Sequence, residues 1–389
     1  MNIVYVYADS RRDWNCSEWR CAIPARAINR RRGHSARLIS TVEFVTNAPA
    51  ARTACGEADL IVVQRTLWGP VLSAIRFWQS QGKVLIADFD DAYDLIPDSV
   101  ETSRHWRHNE VLVETEEGLR WEPSDHNFLA EFKIGLRMVS AATTPSELLA
   151  ADWQEYTTTY ILPNYADAHY FQNVQHEEHD GIVIGWGGGV SHLESFSGSG
   201  VLPALAEVCR QRPQVQIMIC GNDRRIFNLI PVPEECKLHH PFVPFARWPH
   251  VLGKFDIGIA PLYGRYDQRR SWLKAVEYLL ARVPWVASAG APYRRLASYG
   301  RLVRNKPEEW AKALLDLVDN LETYRATAAT KGYMQGLRLT MDANVDTYLQ
   351  TYEHILQNAR TTTSRLQTNR AGLAPAQPVA LRRASPGTA

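Results

Sequence analysis

The alternation of short, apolar, β-branched runs with amphipathic helical stretches constrains the fold of this chain more than any other sequence feature. Helical patterns such as residues 17–32 and 70–81 lie between the apolar runs. Strands that alternate with helices are typical of a parallel sheet with helices on its faces. The sequence therefore predicts an α/β protein. The apolar runs lie at residues 2–8, 35–40, 59–65 and 83–89, and then at 181–186, 215–221, 255–262 and 283–288.

The runs fall into two series, which predict two Rossmann-like domains. At roughly 150 residues per domain, a chain of 389 residues also favours two domains. Residues 161–181 turn polar after a strand, as a linker would, so the boundary is predicted near residue 170. After residue 358 large apolar side chains are few, which is typical of disorder. The predicted divisions are residues 1–170, 171–335, a last helix at 336–358 and a disordered tail at 359–389.

Charge and composition argue against several classes of partner. The chain has 43 lysine and arginine residues against 42 aspartate and glutamate residues, a net charge of +1, so it is not basic throughout as many proteins that bind nucleic acid are. No apolar run approaches the roughly 20 residues of a membrane-spanning helix. The six cysteines form no CxxC motif or Cys/His cluster, so neither a zinc site nor a disulfide framework is indicated. These features predict a cytoplasmic protein without an integral membrane segment.

A glycine-rich turn is the strongest local signal of a ligand site. The segment IGWGGGVSHLESF runs from a buried strand through Gly187, Gly188 and Gly189 into a helix predicted to begin near Ser191. Glycine lets the backbone approach a phosphate closely, and a helix N-terminus offers free N–H groups. His192 is either a further hydrogen-bond donor to a phosphate or an ordinary exposed residue. The turn thus predicts an anion site, with a tight turn that binds nothing as the alternative.

A basic loop (residues 262–270) and the helix after it form the second signal. Ser271, Lys274 and Glu277 are spaced three residues apart, so they are predicted to lie on one side of a helix at the carboxyl edge of the second sheet. Ligands bind at this edge in α/β proteins. A lysine there suits a diphosphate, as does the preceding Arg270, and a carboxylate can hold both hydroxyls of a ribose. The alternative is an ordinary solvent-exposed helix face.

An acidic stretch, ADFDDAYDLIPDS, follows the fourth strand of the first series. Asp88, Asp90 and Asp91 lie at the end of this strand, where clustered carboxylates can bind Mg²⁺ or act as bases. They can equally cap a helix or pair with arginines such as Arg20 and Arg65. Because no second acidic cluster accompanies them, an acceptor-side or structural role is favoured over a metal site.

Together and in order, these motifs resemble the GT-B glycosyltransferases of the retaining group 1 (family 4-like) type, in a branch with an aspartate-rich loop in the first domain. The resemblance implies two Rossmann-like domains that face each other across a cleft, and a C-terminal helix that crosses back to the first domain. It also implies that the second domain holds a nucleotide sugar and the first an acceptor. The matching stretches within residues 1–335 include DFDDAYDLIP, TTPSELLA, ILPNYAD, IGWGGGVSH, IMICGN, DIGIAPL, SWLKAVEYLLARVPWVAS and APYRRL.

The resemblance also implies roles for donor-binding residues. Glu277 matches the second glutamate of the E-x7-E signature of the family, which is expected at the nucleotide ribose, whereas Arg269 stands where the first glutamate would be. Residues 187–189 match the turn beneath the diphosphate. Gly221 and Asn222 end the next strand, where such enzymes face the nucleotide. Ser271 and His192 complete the predicted donor site.

The expected catalytic groups follow from the chemistry of glycosyl transfer. Negative charge grows on the departing nucleoside diphosphate, so its stabilisation is the main task. Arg270 and Lys274 are the candidates for this role, and Asp90 or Asp91 is the candidate base if the leaving phosphate does not itself take the proton. No metal ion and no cofactor besides the nucleotide-sugar co-substrate is expected.

Three functions remain open at this point. The first is a hexosyltransferase-like glycosyltransferase that acts with retention on a hydroxyl of a glycan, a lipid-linked sugar, a protein or a modified nucleic acid. The second is a sugar-nucleotide epimerase, since that chemistry also uses two Rossmann-like domains. The third is a catalytically inert sugar- or nucleotide-binding module, which the missing first glutamate keeps open.

Overall fold

Two parallel sheets form the cores of two α/β domains. The computed structural model describes residues 1–10, 14–116 and 118–371, and of residues 362–371 the backbone alone. Each sheet has six strands, and every pair of neighbours within it is parallel. The fold class predicted from the sequence is therefore confirmed. No helix of the described ranges is long and apolar enough to cross a membrane.

The first domain contains eight of the described strands and seven helices. Its strands are β1 (Asn2–Tyr7), β2 (Ser35–Ser40), β3 (Leu60–Gln64), β4 (Val84–Asp88), β5 (Glu110–Thr115), β6 (Gly118–Pro123), β7 (Ala141–Thr144) and β8 (Thr159–Ile161). Its helices are α1 (Ile23–Asn29), preceded by a π-helical turn at Glu18–Ala22, then α2 (Thr41–Val45), α3 (Pro49–Glu57), α4 (Pro70–Ser80), α5 (Ser103–His108), α6 (Phe128–Met138) and α7 (Glu147–Trp153). The sheet order is β2-β1-β3-β4-β7-β8, and β5 and β6 pair as a separate antiparallel hairpin.

The second domain has the strand order β11-β10-β9-β12-β13-β14. Its strands are β9 (Ile182–Gly187), β10 (Val215–Cys220), β11 (Lys237–His240), β12 (Ile257–Ala260), β13 (Trp285–Ser288) and β14 (Arg301–Val303). The helices that follow in the chain are α8 (Leu193–Gly198), α9 (Val201–Gln211), α10 (Arg225–Leu229), α11 (Trp248–Leu252), α12 (Gly264–Asp267), α13 (Leu273–Leu280), α14 (Pro307–Asp319), α15 (Leu321–Thr327), α16 (Tyr333–Arg338) and α17 (Met341–Ala371).

The central strands are continuous apolar runs because helices cover both faces of each sheet. Every residue of β3 and β4 is buried, and so are five of the six residues of β9. The strand order reverses between β1 and β3 in the first sheet and between β9 and β12 in the second. In doubly wound sheets, ligands bind outside the carboxyl ends of the strands at such a reversal. The end of β9 is the glycine-rich turn.

The last helix, α17, crosses back to the first domain as expected. The Tyr348 hydroxyl donates to the carbonyl of Pro163 at 2.9 Å, and the hydroxyls of Tyr352 and Tyr5 lie 3.1 Å apart. The helix begins at Met341 and continues to Ala371, so residues 359–371 are helical where the sequence predicted a disordered tail. Arginine, leucine, glutamine and alanine in this stretch favour helix. The rest of the predicted tail, 372–389, lies outside the described residues, and the boundary near residue 170 stays a prediction.

Candidate functional site

The candidate donor site lies at the carboxyl ends of β9 and β10. The N–H of Gly188 donates to the carbonyl of Cys220 at 3.0 Å, and the N–H of Gly221 donates to the carbonyl of His240 at 3.0 Å. A Cβ at Gly221 would lie 2.6 Å from the carbonyl oxygen of Gly188, so only glycine fits there. Asn222 follows with its side chain exposed. The structure therefore brings the two glycine segments predicted for the donor site to one edge of the sheet.

The three glycines of the turn differ in what requires them. A Cβ at Gly187 would lie 2.2 Å from the indole of Trp248, and a Cβ at Gly188 would lie 3.1 Å from the ammonium of Lys274. A Cβ at Gly189 would meet nothing within 4 Å. Packing therefore requires glycine at the first two positions, whereas Gly189 faces open space. Gly189 is the position of the turn at which a ligand can reach the backbone.

Lys274 places its ammonium directly beneath this turn. Its Nζ donates to the carbonyl of Gly187 and lies 4.8 Å from the ring centroid of Trp186. Burial lowers the pKa of Lys274 to about 8, although the nearby carboxylate of Glu277 opposes the shift. The side chain is thus a partly desolvated cation beside the glycine turn. It attracts an anion there more strongly than a lysine in bulk water would, because the surroundings are less polar.

Glu277 lies one helical turn further along α13 and is 6% exposed. Its Oε1 accepts a hydrogen bond of 2.9 Å from the indole N–H of Trp248. Burial raises the pKa of Glu277 to about 7, and the charge of Lys274 and the bond from Trp248 both act against this rise. Sequence reasoning placed Glu277 and Lys274 together but did not find Trp248, which belongs to no motif.

Arg270 is held by three neighbours and is less available to a ligand than Lys274. Its Nε donates to Asp267 at 2.7 Å, its Nη2 donates to the carbonyl of Ser191 at 2.9 Å, and its guanidinium lies 4.7 Å from the ring centroid of Tyr266. The carboxylate of Asp267 neutralises much of its charge. The bond to Ser191 nevertheless ties the basic loop to the chain that follows the glycine turn.

His192 is buried and does not lie on an exposed helix face, which corrects that alternative. A 3₁₀ turn at Val190–His192 follows Gly189, and the α-helix begins at Leu193, later than predicted. Burial lowers the pKa of His192 well below its usual value, and the positive charges of Arg270 and Lys274 add to this effect. The ring is therefore neutral and can act as a hydrogen-bonding group but not as a cation.

Asp88 is part of a buried ion pair. Its carboxylate accepts two bonds from the guanidinium of Arg20, at 2.9 and 2.6 Å, and one from the Thr143 hydroxyl at 2.6 Å. The side chains of Arg20 and Asp88 are 0% and 2% exposed. These bonds support the structural alternative for Asp88, one of the two alternatives to metal binding. Arg65, the second candidate partner, instead pairs with Asp9 at 2.6 Å.

Asp90 and Asp91 follow β4 of the first domain and are half-buried. Burial raises the pKa of Asp90 to about 6, with a further contribution from the charge of Asp91. Burial also raises the pKa of Asp91, although Arg270 and a hydrogen bond from the Tyr266 hydroxyl oppose the shift. Both of these partners come from the second domain. The structure thus brings Asp91 next to the basic loop, whereas the charges that act on Asp90 all belong to the first domain.

The first domain holds the basic loop in place. Arg269 forms an ion pair with Asp152 through bonds of 2.7 and 3.1 Å. Ser271 lies before α13 rather than on it, and its hydroxyl accepts a bond of 3.2 Å from the Asn164 amide. The indole N–H of Trp272 donates to the carbonyl of Asn164 at 2.8 Å. In this structure Ser271 therefore faces the first domain.

A separate group of side chains has the composition of a metal site. Ligand atoms of His176, His179 and Asp256 lie within 4.8 Å of one another, the one such group among the residues that the structure describes. Arg325 donates to Asp256 and to His176. Asp256 directly precedes β12, at the opposite edge of the sheet from the glycine turn. The group therefore lies outside the donor site, and Arg325 already supplies a cation to it.

Comparisons with known proteins identify the fold. No family profile matches the chain, and no curated protein sequence does. Sucrose-phosphate synthase from Thermosynechococcus elongatus matches with a TM-score of 0.59 at 14% identity, over 92% of this chain and 99% of that one. Anabaena HepE in complex with UDP matches with a TM-score of 0.55 at 15% identity, over 94% of this chain and all (100%) of that one.

A third structure widens the range of functions found on this fold. A protein described as a UDP-N-acetylglucosamine 2-epimerase from Listeria monocytogenes matches with a TM-score of 0.52 at 12% identity, over 90% of this chain and 94% of that one. At such identities these likenesses show the fold alone, since one fold supports many chemistries. The chain has the GT-B fold of two Rossmann-like domains that face each other across a cleft.

Proposed function

We propose that this protein is a cytoplasmic glycosyltransferase that moves a sugar from a nucleoside diphosphate donor to a hydroxyl acceptor, with retention at the anomeric carbon. The second domain binds the donor and the first domain the acceptor. The observation that carries the proposal is the Lys274 ammonium beneath the glycine turn, with the Glu277 carboxylate one turn further along the same helix. The shared fold with HepE, which has been solved with UDP and with UDP-glucose, supports it.

The proposed reaction uses these groups as follows. The bond between the anomeric carbon and the diphosphate oxygen breaks while a bond to the acceptor oxygen forms, so negative charge grows on the diphosphate. Lys274 and the N–H of Gly189 stabilise this charge. Arg270 also contributes, although Asp267 neutralises part of its positive charge. The acceptor proton passes to the leaving phosphate or to Asp90. The reaction requires no metal ion or cofactor beyond the donor.

A ligand screen followed by one substitution tests the proposal. A nucleoside diphosphate or its sugar at 100 times its dissociation constant stabilises the protein by roughly 2.7 kcal/mol, which thermal denaturation detects. Slow release of the diphosphate from the stabilising donor is then measured. We expect Lys274→Ala to slow this release by raising its activation free energy by about 2–4 kcal/mol.

A matched control separates this effect from the loss of a lysine in general. Lys254 also belongs to the second domain and pairs on the surface with Glu177 at 2.9 Å. Lys254→Ala is expected to release the diphosphate at the wild-type rate. A screen that is flat across the UDP, GDP and ADP sugars, or equal rates for the two lysine variants, contradicts the proposal.

An epimerase is the second candidate, favoured by the likeness to the Listeria protein. An epimerase converts the sugar nucleotide without an acceptor and exchanges a carbon-bound hydrogen with the solvent, whereas a transferase does neither. Incubation of the stabilising donor in D₂O followed by NMR separates the two reactions. Deuterium in recovered sugar nucleotide supports the epimerase. Tight donor binding with neither diphosphate release nor deuterium uptake supports the inert binding module.

A further inference from the structure

We infer that Trp248 is a positioning residue of the donor site, which orients the Glu277 carboxylate and keeps it apart from Lys274 so that it can recognise ribose hydroxyls. The inference rests on the proposed function and adds a residue to it. Trp248 is the first residue of α11, which follows β11, and it lies 29 positions before Glu277 in the chain.

The indole is held in a fixed position by its surroundings. Its ring fills the space above Gly187, where a Cβ would come within 2.2 Å of it. The ring also packs edge-on against Phe255, with 6.2 Å between the ring centroids and 76° between the planes. Because the ring cannot turn freely, its N–H is held 2.9 Å from Oε1 of Glu277. A fixed donor of this kind selects one orientation of the carboxylate.

The arrangement also separates two opposite charges that share a helix face. Lys274 and Glu277 are three residues apart on α13, a spacing that allows an ion pair. Among the described residues, however, no ion pair within 4.0 Å joins them. The Gly187 carbonyl accepts from the ammonium, and the Trp248 N–H donates to the carboxylate.

This separation gives each charge its own part of the donor. Lys274 stays available to the diphosphate. The Trp248 bond is the one hydrogen bond that the described part of the chain makes to the Glu277 carboxylate, and it engages Oε1. Oε2 and the second lone pair of Oε1 therefore remain for ribose hydroxyls. Without the indole N–H, the carboxylate can turn toward Lys274 and pair with it.

The preference for ribose over dideoxyribose tests the inference. Calorimetry gives the dissociation constants of UDP, GDP and ADP for the full chain, and the tightest of these is compared with its 2′,3′-dideoxy analogue. Hydrogen bonds to a charged group are expected to give the wild type a preference of at least about tenfold for the ribonucleotide. Trp248→Phe keeps an aromatic ring above Gly187 and removes the N–H, so the preference is expected to fall below about threefold.

Two further variants show whether the indole acts through the carboxylate. In a Glu277→Gln background the preference is already small, and adding Trp248→Phe is expected to change it by less than about twofold. Trp121→Phe removes a similar Trp–Glu bond, 2.8 Å from Trp121 to Glu101, on the hairpin of the first domain. This control is expected to bind both nucleotides as the wild type does.

The outcomes separate this inference from the proposed function. If none of the three diphosphates binds the wild type, the proposed function fails. If the wild type and Trp248→Phe show the same ribose preference while Glu277→Gln loses it, the donor site stands and the role of Trp248 is overturned. The same conclusion follows if Trp248→Phe weakens the ribonucleotide and the dideoxynucleotide equally, because that result indicates a packing role alone.

Discussion

The buried pair of Arg20 and Asp88 allows a quantitative test of the structural role of Asp88. The guanidinium donates two hydrogen bonds to the carboxylate, one of 2.6 Å to the carbonyl of Leu162 and one of 2.8 Å to Oδ1 of Asn164. Arg20→Met leaves the Asp88 charge buried with the Thr143 hydroxyl as its remaining partner. Breaking a buried ion pair from one side lowers stability by about 3–5 kcal/mol.

We therefore expect Arg20→Met to lower the free energy of unfolding by about 3–5 kcal/mol, and Asp88→Asn by a similar amount because it leaves the guanidinium without its counter-charge. The loss of unfolding free energy in the double variant is expected to be about 2–3 kcal/mol smaller than the sum of the losses in the two single variants, since the second change removes the charge that the first leaves unpaired. Urea denaturation followed by circular dichroism and by tryptophan fluorescence measures all three. A double variant that equals the sum of the singles would refute the reasoning.

An exposed pair provides the control for this experiment. Arg37 and Glu57 lie 2.9 Å apart with side chains 54% and 55% exposed. Solvent screens such a pair, so Arg37→Met is expected to change the free energy of unfolding by less than about 1 kcal/mol. If Arg37→Met lowered the free energy of unfolding as much as Arg20→Met does, burial of the ion pair would not be the cause of the Arg20→Met effect.

The candidate functional site makes three further predictions. Nucleotide affinity is expected to be highest between pH about 7 and about 8, because Glu277 is protonated below its pKa of about 7 and Lys274 loses its proton above its pKa of about 8. Calorimetry across this pH range measures the affinity. A loss of affinity at alkaline pH that persists in Lys274→Met contradicts the expectation. Gly187→Ala is expected to lower the free energy of unfolding by about 1–3 kcal/mol, because the added Cβ clashes with Trp248. Gly189→Ala is expected to change the free energy of unfolding by less than about 0.5 kcal/mol but to weaken diphosphate binding about tenfold. Thermal denaturation and calorimetry measure the two effects, and equal effects of the two changes exclude the assigned roles. Asp90→Asn is expected to slow transfer about 100-fold without changing nucleotide affinity, and an unchanged rate assigns the proton to the leaving phosphate.

Strands that lie within an apolar run could be predicted from the sequence, and strands without such a run could not. The runs at 59–65 and 181–186 match β3 and β9 to within one residue at each end. β7 (AATT), β11 (KLHH) and β14 (RLV) have no such run. Each belongs to its sheet because it pairs with a longer strand beside it. Pairing with a neighbouring strand determines whether such a segment forms a strand, and the local sequence pattern does not indicate that pairing.

The same limit applies to the candidate site. The spacing along one helix predicted that Lys274 and Glu277 lie together, because a helix sets that neighbourhood by itself. The spacing placed Ser271 with them, but α13 begins only at Leu273. Trp248 lies on α11 and Glu277 on α13, so their contact depends on how two helices that are separate in the chain pack together. No predicted strand directly precedes Trp248, because β11 has no apolar run, so no sequence pattern indicated this contact.

Arg269 connects the basic loop to the first domain. Its guanidinium pairs with Asp152 of the first domain, with the two side chains 13% and 28% exposed. Three residues before it, Tyr266 packs into the hydrophobic core of the first domain. The position thus joins the two domains, and Lys274 follows shortly after it in the chain. These contacts join the two domains beside the candidate donor site, so an opening of the cleft would have to break them. Arg269→Glu therefore places a second carboxylate against Asp152, and we expect the repulsion between the two carboxylates to weaken this contact between the domains.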